Sequence, residues 1–110
     1  MNLSEYASYD ALGLAELVAN RQVSARELAQ TALAAKEKVD PAVRAVVELY
    51  VDRIDGLDEK TLGHGPFRGV PLLIKDVFGH EKGRKIEFGS RLCAGMTVEA
   101  TTSLCDLLEA

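Results

Sequence analysis

The sequence predicts an α/β fold, and three observations carry that prediction. Two stretches, near residues 11–20 and 25–39, repeat apolar side chains at helical spacing behind good caps. Val70-Pro71-Leu72-Leu73-Ile74 is a short apolar run without alternation, the pattern of a strand covered on both faces. A third helical stretch, near 101–110, follows that run, as a helix follows a strand in α/β chains.

The first helix has Ser8 or Asp10 as its cap, and Leu12, Leu14, Leu17 and Val18 form its apolar side. Asn20-Arg21 ends it. Ser24-Ala25-Arg26-Glu27 then reads as a capping box, with a hydroxyl at the cap and a carboxylate three residues on. The segment through Val39 is rich in Ala, Leu, Glu and Lys, all good helix formers, with Leu28, Ala32 and Ala35 as its buried stripe. Asp40-Pro41 is the predicted stop. Residues 45–49 and 70–75 are predicted strands, and 50–61 is polar and ambiguous, with helix over part of it as one reading. Gly63-His64-Gly65-Pro66 is a loop by its turn chemistry, and 79–90 is loop-like with glycines at 79, 83 and 89. Thr101, Thr102 or Ser103 can cap the last helix, whose apolar face is Leu104, Leu107 and Leu108. No glycine or basic residue closes that helix before Ala110. The expectation is an incomplete domain, in which a parallel strand would come next.

Composition narrows the function classes. A chain of 110 residues suits one small domain, and a hydrophobic fraction of 47% allows a modest core. The net charge of -4 argues against a nucleic-acid surface, which needs clustered Lys and Arg. No apolar run reaches the roughly 20 residues that span a bilayer. The start, Met1-Asn2-Leu3-Ser4-Glu5, lacks the basic-then-apolar pattern of a secretory signal, so a cytoplasmic location is expected. Cys93 and Cys105 have no partner at metal-ligand spacing and read as reduced thiols. His64 and His80, sixteen residues apart, read as loop residues. No cofactor and no metal are expected.

Lys75 ends the apolar run, and two readings compete. A lysine at a strand end is on base rates a solvated residue or half of a salt bridge. A catalytic lysine would instead need burial that lowers its pKa, so that its neutral amine accepts a proton. For Asp76 the alternatives are a surface salt bridge or turn, against a group that orients the Lys75 region. Gly69 and Pro71 read as structural, fixing the way into the strand.

Resemblance to a known family bears on both choices. Gly69-Val70-Pro71-Leu72-Leu73-Ile74-Lys75-Asp76 resembles the Gly-Val-Pro-x-x-x-Lys-Asp segment of the amidase signature family. Val23-Ser24-Ala25-Arg26-Glu27-Leu28 is similar to the family's N-terminal helix start, and Asp40-Pro41 to its helix stop. Gly89-Ser90 falls where members often carry a Gly-Ser pair. The last helix resembles the one preceding the family's Ala-Gly-Ala strand. The resemblance runs through essentially the whole chain and is most specific around Lys75.

It implies that residues 1–110 are the N-terminal portion of an α/β/α fold, a partial amidase domain. Helices over 1–40 and a strand and Lys-bearing segment over 41–110 would pack on a partial mixed sheet. It also implies amide hydrolysis by a Ser–cis-Ser–Lys triad. Lys75 takes a proton from a bridging serine, which takes one from the serine that attacks the carbonyl. The family's Gly-Gly-Ser-Ser-Gly-Gly-Ser loop does not occur in these 110 residues. Neither serine is therefore assigned, and Ser24, Ser90 and Ser103 lack that setting. Ser90 is expected to shape the turn after Gly89. Ile86-Glu87 departs from members that carry a hydroxyl residue there.

Two functional expectations follow. In one, the chain supplies the catalytic Lys75 of an amidase and is inactive alone. Its partners would be the remaining amidase polypeptide or a second copy, and a small amide would be the substrate only of the completed enzyme. In the other, it is a non-catalytic remnant or binding module. Neither expectation involves nucleic acid or a membrane.

Overall fold

The computed structural model describes residues 1–109. Five α-helices follow in order: α1 (Leu3–Tyr6), α2 (Ala11–Ala19), α3 (Ala25–Val43), α4 (Val51–Asp55) and α5 (Ser103–Glu109), with a 3-10 turn at Arg91–Cys93. The chain forms two compact units, Met1–Pro71 and Leu72–Ala110.

The expected α/β fold does not form. Helix accounts for 43% of the chain, and no strand or sheet is present among the described residues. Residues 45–49 and 70–75 have no ladder partner. Among the described residues, the β contact is an isolated antiparallel bridge between Lys85 and Thr97. An apolar run reports a tendency to be buried, whereas a strand exists only where a second backbone pairs with it. Pro71 further removes one donor from the run. Leu72 and Leu73 are 58% and 77% exposed, so the run is not covered on both faces.

The helical expectations fare better, with local corrections. Asp10 caps α2, its carboxylate accepting from Gly13 N–H at 2.8 Å. Ser24 caps α3 by accepting from Glu27 N–H at 3.1 Å. The reciprocal half of a capping box is not made, because the Glu27 carboxylate accepts instead from the Met1 ammonium. That hydrogen bond raises the pKa of the amine. The predicted stop at Asp40-Pro41 is also overturned, since α3 continues to Val43. Proline forfeits one intrahelical bond, and this close to the end the helix tolerates the loss. Arg44, in the left-handed region at φ 50°, closes α3. Thr102 stands at the start of α5, its carbonyl accepting from Asp106 N–H at 3.1 Å, and both threonines also bond outside the helix. They lace the 80–82 loop, Thr101 Oγ1 accepting from Lys82 N–H at 3.1 Å and Thr102 N–H donating to His80 O at 3.0 Å. The expected last residue of that helix, Ala110, lies outside the described residues.

In the first unit the core is Leu14, Val18, Val23, Ala25 and Leu28, with Met1, Tyr6, Leu17, Leu57, Leu62 and Val70 packed against it. Leu28 has no exposed surface. Arg26 leaves the same helical turn and donates to the carbonyls of Ile54, Asp55 and Leu57 at 3.1, 3.4 and 2.8 Å, fixing the end of α4. The second unit has a smaller interior, with Ile86 and Cys105 buried. Its loop is crossed by Ile86 N–H to Met96 O at 3.0 Å and Gly83 N–H to Val98 O at 2.8 Å.

Two predictions follow from these contacts. Gly69 has φ +77°, and a methyl there would sit 3.0 Å from Ala25 Cβ and 3.2 Å from Val18 Cγ1. Gly69→Ala should cost roughly 2–4 kcal/mol in urea unfolding, combining left-handed strain with overpacking. Gly83→Ala, with φ +81° and nothing within 4 Å, should cost only about 1 kcal/mol. Equal costs would remove the packing component.

The second concerns Asp40, whose Oδ1 accepts from Ala45 N–H at 2.8 Å and Val46 N–H at 3.0 Å. The bond from Val46, then that from Ala45 and the nearby Lys36, hold its carboxyl below the ordinary range. A depressed folded-state pKa gives stabilisation that is complete above the unfolded value near 3.9 and lost as pH falls through the folded value. The Ala45 and Val46 amide resonances should therefore titrate with a midpoint below that of a free aspartate. A midpoint at the free value would show that the clamp does not form, and Asp40→Asn should abolish the titration.

Candidate functional site

The Lys75–Asp76 step lies in the second unit, after an irregular approach in which Leu72 and Leu73 face solvent. The Lys75 side chain is exposed. Its carbonyl accepts from Val77 N–H at 2.8 Å, which turns the chain immediately after Asp76. A lysine serves as a base only with burial that favours the neutral amine, and these residues do not bury Lys75.

Among the described residues, Asp76 has no ion-pair partner. Its Oδ1 accepts from Glu87 N–H at 2.8 Å, joining the turn after Lys75 to the loop eleven residues on. Glu87 continues the link, its Oε1 accepting from Gly95 N–H at 2.7 Å. The residues after Lys75 are thus connected to the 87–95 loop by two carboxylate-to-backbone bonds. Charge-assisted bonds of this kind are stronger than neutral ones. Nothing in the sequence marks Glu87 for this task, since a glutamate that departs from the family pattern carries no local sign that it receives a distant amide.

Gly89 and Ser90 lie in the same loop. Phe88 and Gly89 both have positive φ, 54° and 64°, and Ser90 N–H donates to Glu87 O at 2.8 Å. Two successive left-handed residues under such a bond make a type I′ turn. Glycine adopts this conformation freely, whereas Phe88 does so under strain. Ser90 accepts from Leu92 N–H at 3.3 Å and starts the 3-10 turn. Gly69 and Pro71 belong to the first unit, where Gly69 approaches Val18 and Ala25. Among the described residues, no group of three or more His, Cys, Asp or Glu side chains could hold a metal ion.

Comparison with known proteins adds a partial likeness to amidase-family enzymes. The chain is 37% identical over 68 residues to a 6-aminohexanoate-cyclic-dimer hydrolase from Pseudomonas sp. (strain NK87), covering 62% of this chain and 13% of that protein. The corresponding hydrolase of Paenarthrobacter ureafaciens matches equally. A glutamyl-tRNA(Gln) amidotransferase subunit from Acidothermus cellulolyticus (strain ATCC 43068 / DSM 8971 / 11B) is 36% identical over 102 residues, covering 84% of this chain and 20% of that protein. A match that wide in a chain of 110 residues necessarily spans Lys75. The chain therefore spans between about an eighth and a fifth of the length of these relatives. No family profile matches, and no solved structure matches. No helix among the described residues is long and apolar enough to cross a membrane.

The Asp76 bond generates a prediction. Asp76→Ala should raise the exchange rate of the Glu87 amide at least about fivefold, corresponding to roughly 1 kcal/mol for a half-buried bond. Asp76→Asn keeps an acceptor oxygen and should raise it less. An unchanged rate in Asp76→Ala would show that this bond does not organise the loop.

Proposed function

We propose that this chain is part of an amidase signature hydrolase that cleaves amide C–N bonds, and that Lys75 is its catalytic proton acceptor. The observation that carries the reading is the Gly69-to-Asp76 run, Gly-Val-Pro-Leu-Leu-Ile-Lys-Asp, within a chain that is partly similar to three amidase-family enzymes. In this reading the neutral Lys75 amine removes the proton of a bridging serine, which deprotonates the serine attacking the amide carbonyl. Both serines and the oxyanion donors come from outside these 110 residues, so the 110 residues alone release no amine from amides. Asp76 acts by position, holding the turn after Lys75 to the 87–95 loop.

Exposure supports the reading. Leu72, Leu73, Phe78, Leu92 and Leu107 are all more than half exposed in the second unit, an apolar surface that further polypeptide would cover. The same cover would take Lys75 out of water, as the chemistry requires. Small amides are the proposed substrate class.

The test is a chimera in which these residues replace the corresponding segment of the 6-aminohexanoate-cyclic-dimer hydrolase, assayed by hydrolysis of that cyclic dimer. An active chimera should lose orders of magnitude in turnover on Lys75→Ala while its circular dichroism is retained, because the proton acceptor is gone. Asp76→Asn should cost less. Near-normal turnover of the Lys75→Ala protein would end the assignment.

A further inference from the structure

In the first unit, the C-terminal end of α2 and the 59–68 segment border an open surface cavity of about 270 Å³. Val18, Ala19 and Leu62 form its apolar wall, and Arg21, Lys60, Arg68 and Glu59 its charged lining. We propose that this cavity binds a small phosphate monoester carrying a short apolar group. The proposal is independent of the amidase reading and involves none of the residues assigned to it.

Charge is the first argument. Three cations face one carboxylate, a net of +2 in a chain whose overall charge is -4. The carboxylate is already engaged, since Glu59 Oε1 accepts from Ala25 N–H at 2.9 Å. The α2 C-terminus contributes about half a negative charge, which Arg21 alone offsets. With Glu59 still charged, the lining keeps an excess of about +1.5. A phosphate monoester carries about -1.5 to -2 near neutral pH, which matches that excess.

Placement is the second argument, because each cation rises from a fixed backbone. Arg21 has φ 57°, in the left-handed region, and its N–H donates to Val18 O at 3.0 Å. Gln22 N–H donates to Leu17 O at 2.9 Å, and the two bonds make a Schellman ending of α2 that fixes the Arg21 backbone. Lys60 N–H donates to Asp58 Oδ1 at 3.0 Å, within a turn closed by Thr61 N–H to Asp58 O at 3.0 Å. One nitrogen of Arg68 donates to Glu59 O at 2.6 Å, which sets the plane of the guanidinium and leaves its other N–H groups for a ligand. A guanidinium fork matches phosphate oxygens in pairs. The volume lies just below the roughly 300–1,000 Å³ of drug-sized pockets, so the ligand is small, and the apolar wall accommodates its organic portion.

The experiment titrates the 110-residue chain with phenyl phosphate and follows amide resonances. Saturable shifts confined to residues near 18–21 and 59–68 are expected, weakening as ionic strength rises. Arg21→Gln and Lys60→Gln should each lower affinity roughly tenfold, with circular dichroism and urea midpoint unchanged. Should Arg21→Gln disturb the end of α2, Lys60→Gln decides. Inorganic phosphate, without the apolar group, and benzoate, with a single charge, should both bind more weakly. Equilibrium dialysis of labelled phenyl phosphate gives the same comparison independently of line width. The proposal is overturned if phenyl phosphate produces no saturable shift at millimolar concentration, if the shifts scatter over both units, or if Lys60→Gln binds as tightly as the parent.

Discussion

The first turn of α3 is the constraint on which the Met1–Pro71 unit depends. The six residues from Val23 into that turn bury Val23, Ala25 and Leu28 and send out polar groups that tie down neighbouring segments. Ser24 caps the helix, Arg26 holds three carbonyls at the end of α4, and Glu27 accepts from the Met1 ammonium. The Ala25 amide is received by Glu59, so a free helix donor becomes the anchor of the 59–68 segment. Gly69 then reaches Val18 and Ala25 because it has no Cβ. The Gly69-Val70 step is thereby fixed by packing against helices rather than by pairing with a strand.

The second unit is organised differently. It buries few side chains, and its order comes from carboxylates and hydroxyls that receive backbone amides: Asp76 from Glu87, Glu87 from Gly95, Thr101 from Lys82. Such a loop-rich body holds its backbone with polar bonds and leaves large apolar side chains in water, Leu73 and Phe78 being 77% and 78% exposed. A surface of that kind favours contact with other polypeptide. Lys75 lies on this unit, immediately before the Asp76 carboxylate that receives the Glu87 amide.

The candidate site was legible in one respect and closed in another. Lys75 and Asp76 stood out because a charged pair ending an apolar run is conspicuous and because the surrounding eight residues resemble a specific family segment. The role of Glu87 was closed to sequence reading, since Asp76 and Glu87 are brought together by the course of the loop between them, residues 77–86. The basic cavity of the first unit was equally hidden. Arg21, Lys60 and Arg68 are dispersed along the chain, and no spacing joins them.

By itself the sequence determined the helices and their starts: Asp10 and Ser24 cap where local chemistry puts them, and Leu14, Val18 and Leu28 enter the core as their spacing requires. These are local effects, settled within one or two turns of chain. Only the tertiary structure decided that residues 45–49 and 70–75 make no sheet, that α3 passes through Pro41 and that Glu27 turns to Met1 rather than to Ser24. Each depends on a partner distant in sequence or on the absence of one among the described residues, and hydropathy patterns carry no record of partners. A strand is a relation between two segments, whereas a helix is a property of one.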